Sequence, residues 1–336
     1  MIQTYYGRPA KFSYWNGCST GGRQGLKEAQ MFPGDYDGII AGAPANRTAI
    51  SLWIAHAVLK EKDSYIPPAK YPMIHQAVLA ACDAKDQLKD GLIDDPTQCN
   101  FNPKVLLCQN GDSPNCLTAQ QVEAARKIYS DAVNPRTRQK MFSSLPPGTE
   151  LGWSVHALGP DPAAIIWDQY KYVVFRDENW DWRSFNFDSD VVRGDRPENV
   201  IMNATDPNLK SFFGHNGKLL LYQGWSDPNV PAQNTIKYYK SVLDKMSAVE
   251  VAGNIRLFMA PGMGHCRGGE GPNEFDKVTL LDEWVEKGTA PERIVAAHLT
   301  EGKVDRTRPL CSYPRVAKYK GSGSIDDAAN FSCQVP

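Results

Sequence analysis

The stretch Lys11-Phe-Ser-Tyr-Trp-Asn-Gly17-Cys18-Ser19-Thr20-Gly21-Gly22 decides the fold. An apolar, aromatic segment over residues 11–16 leads into a glycine-rich turn, and residues 23–31 suit a helix that ends before Pro33. A strand, a sharp turn and a helix in this order predict the beginning of an α/β unit.

Two later segments show the same order of elements. Residues 217–222 form a candidate for a buried strand, which leads to Asp227 and then to a helix that opens near Pro231. Residues 255–260 predict a third strand, followed by His265 and by a helix over 275–287. Strands that alternate with helices predict an α/β fold with a mostly parallel sheet.

The middle of the chain has a different character. Helical stretches are predicted over residues 49–60 and 118–132, and the second has a capping-box pattern at Thr118 and Gln121. Loops rich in Pro, Asp and Cys separate them, with no series of parallel strands. We therefore predict a catalytic domain made of residues 1–45 and 206–336, with a lid domain inserted over residues 46–205.

The composition limits the classes of partner. The 336 residues include 37 Lys+Arg and 38 Asp+Glu, a net charge of −1, and 42% of them are hydrophobic. These values argue against disorder, collagen and coiled coil, and the length suits about two domains. Without a basic block, or an apolar run of the roughly 18 residues that span a bilayer, neither nucleic acid nor membrane is an expected partner.

The eight cysteines predict disulfides rather than a metal site. Three pairs are close in sequence: Cys82 with Cys99, Cys108 with Cys116, and Cys311 with Cys333. The sequence contains no C-x-x-C, and its six histidines are scattered, which argues against zinc. Disulfides imply an exported protein, although the chain starts without an apolar targeting segment. We therefore expect a secreted protein whose signal peptide is absent from this chain.

Three residues predict a serine hydrolase. Ser19 lies in a G-x-S-x-G pattern, which places a serine on a tight turn between strand and helix. Asp227 and His265 each follow a predicted strand, so the chain order is Ser, Asp, His and all three lie at the carboxyl edge of the sheet. The alternatives are an idle serine in a glycine-rich loop, a turn-forming aspartate before Pro228 and an ordinary loop histidine. The combination favours a catalytic triad.

Each of two triad residues has a cysteine beside it. Cys18 precedes Ser19, and Cys266 follows His265. If Ser19 and His265 lie within hydrogen-bonding reach, these cysteines are also close to each other. A disulfide between them would join the serine turn to the histidine loop.

These motifs, with Phe32-Pro-Gly-Asp-Tyr-Asp-Gly-Ile-Ile-Ala-Gly-Ala-Pro44 and Pro261-Gly-Met-Gly-His-Cys266, closely resemble the tannase and feruloyl esterase family. That family also includes bacterial mono(2-hydroxyethyl) terephthalate hydrolases. The resemblance runs through the whole chain and implies an α/β-hydrolase fold with a large inserted lid domain. It implies that His265 deprotonates Ser19, that Asp227 holds the imidazole tautomer, and that the backbone N–H of Thr20 binds the oxyanion.

The resemblance also implies the class of substrate. It indicates a serine carboxylic ester hydrolase acting on esters of aromatic acids, with feruloyl esters of plant cell-wall polysaccharide first and galloyl esters or terephthalate monoesters as alternatives. The lid tryptophans are either stacking surfaces for an aromatic acyl group or, more commonly, packing residues; they are Trp153, Trp167, Trp180 and Trp182. Two other classes stay open: an inactive, binding-only remnant and a metal-dependent hydrolase.

An acidic run over residues 82–95 forms a second candidate site. By composition alone a solvated acidic loop is favoured, and the run lacks the length and the final Glu of an EF-hand. It resembles the structural calcium loop of the family, flanked by Cys82 and Cys99. The ligands of Ca²⁺ that the resemblance implies are the side chains of Asp83, Asp86 and Asp90 and the backbone carbonyls of Leu88 and Leu92.

The chain differs from the family at its start. Family members usually carry well over a hundred residues before the nucleophile, including the first strands of the sheet and the second oxyanion donor, whereas eighteen precede Ser19. The resemblance therefore implies a shortened member in which these N-terminal strands and this donor are missing.

Overall fold

The structure is a computed structural model, and it describes residues 2–46, 50–156 and 161–336. The α-helices of the described residues are α1 (Ile2–Tyr6), α2 (Thr20–Met31), α3 (Ile50–Ala55), α4 (Tyr71–Cys82), α5 (Ala119–Ile128), α6 (Ser189–Gly194), α7 (Lys210–Gly214), α8 (Ala232–Met246), α9 (Ala248–Val251) and α10 (Lys277–Lys287). The strands are β1 (Tyr14–Cys18), β2 (Gly38–Gly42), β3 (Ala132–Val133), β4 (Lys140–Phe142), β5 (Lys218–Gly224), β6 (Ile255–Ala260), β7 (Arg293–Thr300), β8 (Lys303–Cys311), β9 (Val316–Tyr319) and β10 (Phe331–Gln334).

Four parallel strands form the central sheet, in the order β1-β2-β5-β6. The register pairs Tyr14 with Gly38 and Gly38 with Lys218, so the strands end together at the carboxyl edge. The parallel α/β architecture predicted from the sequence is confirmed, and it agrees with the α/β-hydrolase fold that the resemblance implies.

Helices and a hairpin cover the two faces of the sheet. Ile39 and Leu219 pack on one face with α2 and α8, whereas their neighbours Ile40 and Leu220 pack on the other with α10 and the β7–β8 hairpin. Side chains alternate between the faces of a strand, so apolar residues at successive positions mean that both faces are buried.

The strand β2 was not among the predicted strands. Its sequence, Gly-Ile-Ile-Ala-Gly, is short and small, yet all five residues are buried in the centre of the sheet. Small residues are needed here because the Tyr222 ring on β5 lies over Gly42, where an added Cβ would be 2.1 Å from a ring carbon. The packing partner is 180 residues away in sequence, which is why no local pattern reveals the strand.

The segment predicted to be a lid has its own hydrophobic core. Residues from Leu52 to Val191 form this cluster, which includes buried Trp153 and Trp182. The predicted helix over 49–60 is observed as α3 followed by a π-helix over His56–Lys60, while its first residue, Ala49, lies outside the described residues. The capping box of Thr118 and Gln121 is present at the start of α5.

The observed elements differ from the predicted ones mainly at their ends. The first strand is shifted to Tyr14–Cys18, and α2 begins at Thr20, directly after the serine. The helix expected over 118–132 ends at Ile128, because Ala132 pairs with Phe142 in the β3–β4 hairpin. The strand over 255–260 has the predicted bounds.

Four disulfides join the eight cysteines, so the predicted disulfides are confirmed. Three are local, namely Cys82–Cys99, Cys108–Cys116 and Cys311–Cys333. The fourth joins Cys18 to Cys266 over a sequence separation of 248 residues. In the described part of the chain, no helix is both long and apolar enough to span a bilayer.

Candidate active site

Ser19 lies on a strained turn between β1 and α2. Its backbone has φ 60° and ψ −119°, a conformation that a residue with a side chain rarely adopts. The Ser19 N–H donates to the carbonyl of Gly42 at 2.9 Å, and the Ser19 carbonyl accepts from Arg23 N–H at 2.9 Å. These bonds hold the turn and leave the side chain partly exposed at the N-terminus of a helix.

Glycines make this turn possible. A Cβ at Gly17 would lie 2.5 Å from the backbone carbon of Gly21, and one at Gly22 would lie 2.4 Å from the carbonyl oxygen of Gly42. The strand, the helix and the next strand therefore approach one another at backbone distance. Within the G-x-S-x-G pattern this steric demand falls on Gly17, since a Cβ at Gly21 would meet nothing within 4 Å.

Asp227 and His265 are joined by a hydrogen bond. The Nδ1 atom of His265 lies 2.9 Å from Oδ2 of Asp227 and 3.1 Å from its Oδ1. Asp227 is fully buried, whereas the His265 side chain is about one-fifth exposed (21%). A buried carboxylate that accepts from Nδ1 fixes the tautomer and leaves Nε2 as the free basic nitrogen.

Asp227 has further partners that the sequence analysis did not identify. Its Oδ1 accepts from the backbone N–H groups of Asn229 and Val230, and its Oδ2 accepts from Gln223 Nε2 at 2.8 Å. Gln223 is itself fully buried, and its Oε1 accepts from the Thr235 hydroxyl. These donors compensate the burial of the carboxylate and fix its orientation.

Ser19 and His265 line the same cavity, which has a volume of about 830 Å³. Among the hydrogen bonds of residues 2–46, 50–156 and 161–336, none joins their side chains. Such bonds between nucleophile and base are often long before substrate binds. The Cys18–Cys266 disulfide, with 5.9 Å between its Cα atoms, keeps the two loops adjacent.

Thr20 is the first residue of α2 and also lines the cavity. The first N–H groups of a helix have no partner within the helix, so this donor is available to an oxyanion. The predicted position of Thr20 is therefore consistent with the role that the resemblance implies. That role stays a prediction, as do those of Ser19, Asp227 and His265.

The segment predicted to be a lid contributes one wall of the cavity. Its lining residues there were not predicted as site residues, and they include Val155, Ile165, Ile166, Gln169, Tyr172 and Val173. Apolar side chains are common among them, as expected of a pocket for an organic substrate, and Ser51, His156 and Asp168 add polar groups to the same wall. No short motif marks them, because they come to the cavity from a part of the chain that is distant from Ser19 in sequence.

The four lid tryptophans lie elsewhere. Trp153 and Trp182 are buried in the lid core, and Trp180 stacks on Phe175 at 4.9 Å. Neither these residues nor Trp167 is among the described residues that line the cavity. Of the two interpretations drawn from the sequence, packing is the one that the structure favours.

The acidic run folds into a compact loop. Asp83 accepts from the backbone N–H groups of Asp90 and Gly91, Asp86 accepts from Leu88 N–H, and Asp90 accepts from Leu92 N–H. Asp90 also pairs with the buried Arg308. Within the described residues, no three acidic, histidine or cysteine side chains converge as a ready-made metal site.

A neighbouring carboxylate, Asp94, is buried beside this loop. Asp94 Oδ1 is buried without a hydrogen-bond partner. Burial, together with the nearby Asp86, raises the pKa of Asp94. Hard oxygen donors of this kind suit Ca²⁺, which would bind through the predicted carboxylates and the carbonyls of Leu88 and Leu92. The chemistry of the donor set fits the ion, and the site stays a prediction.

Comparison with known proteins identifies the family. The family model described as tannase and feruloyl esterase matches residues 1–334. An uncharacterized esterase of Xanthomonas campestris pv. campestris is 38% identical over 99% of this chain and 67% of that protein. A probable feruloyl esterase B-1 of Aspergillus flavus is 33% identical over 99% of this chain and 68% of that protein.

A solved structure agrees with these sequences. The crystal structure of feruloyl esterase B from Aspergillus oryzae superimposes with a TM-score of 0.91 and 30% identity, over 99% of this chain and 71% of that one. The fold and the family expected from the sequence motifs are therefore confirmed. The chain belongs to the tannase and feruloyl esterase family of carboxylic ester hydrolases.

Proposed function

We propose that the chain hydrolyses esters of aromatic acids, feruloyl esters of plant cell-wall polysaccharide first, with Ser19, His265 and Asp227 as its catalytic triad. The observation that carries the proposal is the hydrogen-bonded pair of His265 and Asp227 beside the Ser19 turn, on one cavity. The names of the Aspergillus relatives support the feruloyl acyl group. The apolar lid wall is compatible with an aromatic ring.

The reaction proceeds in two steps. His265 Nε2 takes the proton of the Ser19 hydroxyl as the oxygen attacks the ester carbonyl, and the Thr20 N–H donates to the resulting oxyanion. The imidazolium then protonates the departing alcohol, which leaves an acyl-enzyme. Water, deprotonated by His265, attacks this ester and releases the aromatic acid and the restored serine. Asp227 stabilises the imidazolium in both steps without taking its proton.

The test is hydrolysis of methyl ferulate, methyl gallate and mono(2-hydroxyethyl) terephthalate by the wild type and by Ser19→Ala. Turnover that is lost in Ser19→Ala but kept in Ser241→Ala, a matched change on α8, supports the proposal and ranks the acyl groups. A folded wild type that hydrolyses none of them and does not react with a fluorophosphonate would be the inactive remnant instead.

One observation favours the terephthalate alternative. Arg23 lies one helical turn after Ser19, lines the same cavity and is partly buried. No carboxylate or other acceptor of the described residues pairs with its guanidinium. Burial lowers the pKa of Arg23, yet arginine stays charged. A carboxylate on the acyl group would give this cation a partner.

A pair of substrates tests the role of Arg23. Mono(2-hydroxyethyl) terephthalate carries a carboxylate, whereas bis(2-hydroxyethyl) terephthalate does not. If Arg23 binds that carboxylate, Arg23→Gln lowers kcat/KM for the monoester about tenfold more than for the diester, the effect of losing a charge-assisted bond. Equal losses on both substrates would remove the support for an anionic acyl group.

We also propose that the protein is extracellular and holds a structural Ca²⁺ in the loop of residues 83–92. The protein has four disulfides. Disulfides persist in oxidising compartments and are rare in the cytosol. Support for the ion comes from the unpaired buried oxygen of Asp94 and from the family resemblance of the loop. The ion would stabilise the loop, and no step of the reaction passes through it.

A further inference from the structure

A buried histidine connects the lid to the loop that carries His265. His75, on α4, has Nδ1 2.7 Å from Glu150 Oε2 and Nε2 2.6 Å from Glu270 Oε2. The side chains of His75 and Glu150 are buried, at 5% and 0% exposure, whereas that of Glu270 is about half exposed (48%). Glu150 belongs to the lid and Glu270 to the loop after β6.

Between two ionised carboxylates, this geometry requires a charged imidazole. Neutral histidine has one N–H and one lone pair, so one of its nitrogens would direct a lone pair at a carboxylate oxygen. The imidazolium instead donates to both carboxylates. Burial lowers the pKa of His75, but the hydrogen bonds and charges of Glu150 and Glu270 outweigh it and raise that pKa to about 9.

Other groups around the bridge donate to Glu150 or act on Glu270. The other oxygen of Glu150 accepts from the Tyr129 hydroxyl at 2.6 Å and from the Gly148 N–H at 2.7 Å. The hydrogen bond from His75 lowers the pKa of Glu270, and His298 has a weaker effect in the same direction. The bridge is therefore an anion, a cation and an anion in a row, with its buried end fully hydrogen-bonded.

The Glu270 end belongs to the same tight loop as His265. Gly264 N–H donates to Gly268 at 2.8 Å, and Gly271 N–H donates to Gly262 at 3.2 Å. A Cβ at Gly271 would lie 2.0 Å from the carbonyl of Pro261, so the two strands of the loop are in backbone contact. Glu270 and His265 therefore lie in one closely packed loop.

The lid end contacts the loop of the catalytic acid. Glu150 opens a 3₁₀ helix, Glu150–Val155, in which Gly152 packs on Pro228; an added Cβ would lie 2.4 Å from that ring. The next residue, His156, has Nε2 2.5 Å from the Pro228 carbonyl. One lid segment thus contacts the Asp227 loop directly and the His265 loop through His75.

We propose that His75, as an imidazolium between Glu150 and Glu270, is a positioning residue that holds the His265 loop in its catalytic place, and that loss of its proton sets the alkaline limit of the reaction. The inference rests on the proposed esterase function. His75 does not contact substrate and acts through the loop.

The sign of the pH dependence follows from the raised pKa of His75. The pKa of an unfolded histidine is about 6.5, and that of His75 in the folded protein is about 9. The stabilisation from the bridge is complete below about pH 6.5 and is lost as the pH rises through about 9. The link between the lid and the loop is therefore weakened in alkaline solution.

The test uses Glu270→Gln, which keeps the shape of a half-exposed side chain and removes one carboxylate. We expect kcat on methyl ferulate to fall about tenfold with KM little changed, and the alkaline limb of the kcat profile to move down by about one pH unit. Glu123→Gln, which removes a carboxylate from an exposed pair with Arg126, is the matched control and leaves the profile unchanged.

A second measurement does not depend on turnover. Imidazole resonances are followed by NMR from pH 5 to 10, and His75 is assigned as the signal lost in His75→Gln, or as the one that shifts in Glu270→Gln. Titration near 9 in the wild type, at lower pH in Glu270→Gln, supports the bridge. Titration near 6.5 would overturn it, as would a Glu270→Gln enzyme with the wild-type profile.

The two proposals fail in different ways. A folded wild type that neither hydrolyses esters nor reacts with a fluorophosphonate overturns the esterase function, and the positioning role with it. In that sample, a His75 signal that titrates near 9 would still establish the charged bridge.

Discussion

At the scale of single residues, the serine turn depends on positions that have no side chain. Gly17→Ala places a Cβ 2.5 Å from the backbone of Gly21, which neither the strand nor the helix can avoid. We expect loss of measurable hydrolysis and a melting temperature several degrees lower, since overpacking typically costs about 1–3 kcal/mol. Gly34→Ala is the control, because nothing lies within 4 Å of its Cβ. Equal effects in both variants would contradict this account.

Gln223 is a second residue whose role can be tested. Gln223→Leu removes the donor to Asp227 Oδ2 and leaves the Thr235 hydroxyl unpaired in the core. We expect a lower kcat, by about tenfold, and a loss of about 1–3 kcal/mol in the free energy of unfolding. Steady-state kinetics and urea unfolding check it. Gln30→Leu, which removes an exposed hydrogen bond, is the control. A Gln223→Leu enzyme with wild-type kcat would show that the backbone N–H donors are enough to orient Asp227.

At the scale of elements, the Cys18–Cys266 disulfide joins the serine turn to the histidine loop. Replacing both cysteines by alanine removes a link over 248 residues, and we expect a loss of about 2–5 kcal/mol in stability together with reduced kcat. The partly buried Cys108–Cys116 bridge, over 8 residues, is the matched control and should matter less. Thermal unfolding and methyl ferulate kinetics of the two double variants measure this. Similar losses would mean that the long link has no special role.

The strands and the site residues differ in how well the sequence predicts them. The strands before Asp227 and His265 were predictable because they are long apolar runs that end in glycine-rich turns. Strand β2 was not, because its small residues are explained only by the Tyr222 ring above Gly42. The triad candidates could be named because each lies next to a strand end. Gln223 and the lid residues of the cavity could not, since their partners are distant in sequence and no local pattern marks them.

At the scale of the whole molecule, the acidic loop joins the lid to the C-terminal part of the chain through Asp90 and Arg308. If it binds Ca²⁺, we expect EDTA to lower the melting temperature and added Ca²⁺ to restore it. At a hundred times the Kd, the ion would add about 2.7 kcal/mol to the free energy of unfolding. Activity at temperatures where the fold persists should be retained. Thermal unfolding of the wild type, Asp86→Asn and the exposed control Asp63→Asn checks this.

Other outcomes of the chelation experiment would contradict the calcium proposal. A melting temperature that responds to neither EDTA nor Ca²⁺ would favour the solvated acidic loop. Immediate loss of hydrolysis in a protein that stays folded would favour the metal-dependent hydrolase instead.

The disulfide between Cys18 and Cys266 also closes the part of the chain between them into a covalent ring. Everything between Cys18 and Cys266, including the whole lid and Asp227, lies on that ring. A protease that nicks the lid once therefore opens the ring without releasing a fragment, and Ser19 and His265 stay neighbours although they now belong to different pieces. Such nicked protein would migrate as one species without reductant and as two with it, and an esterase of this design can tolerate digestion that would divide an unlinked chain.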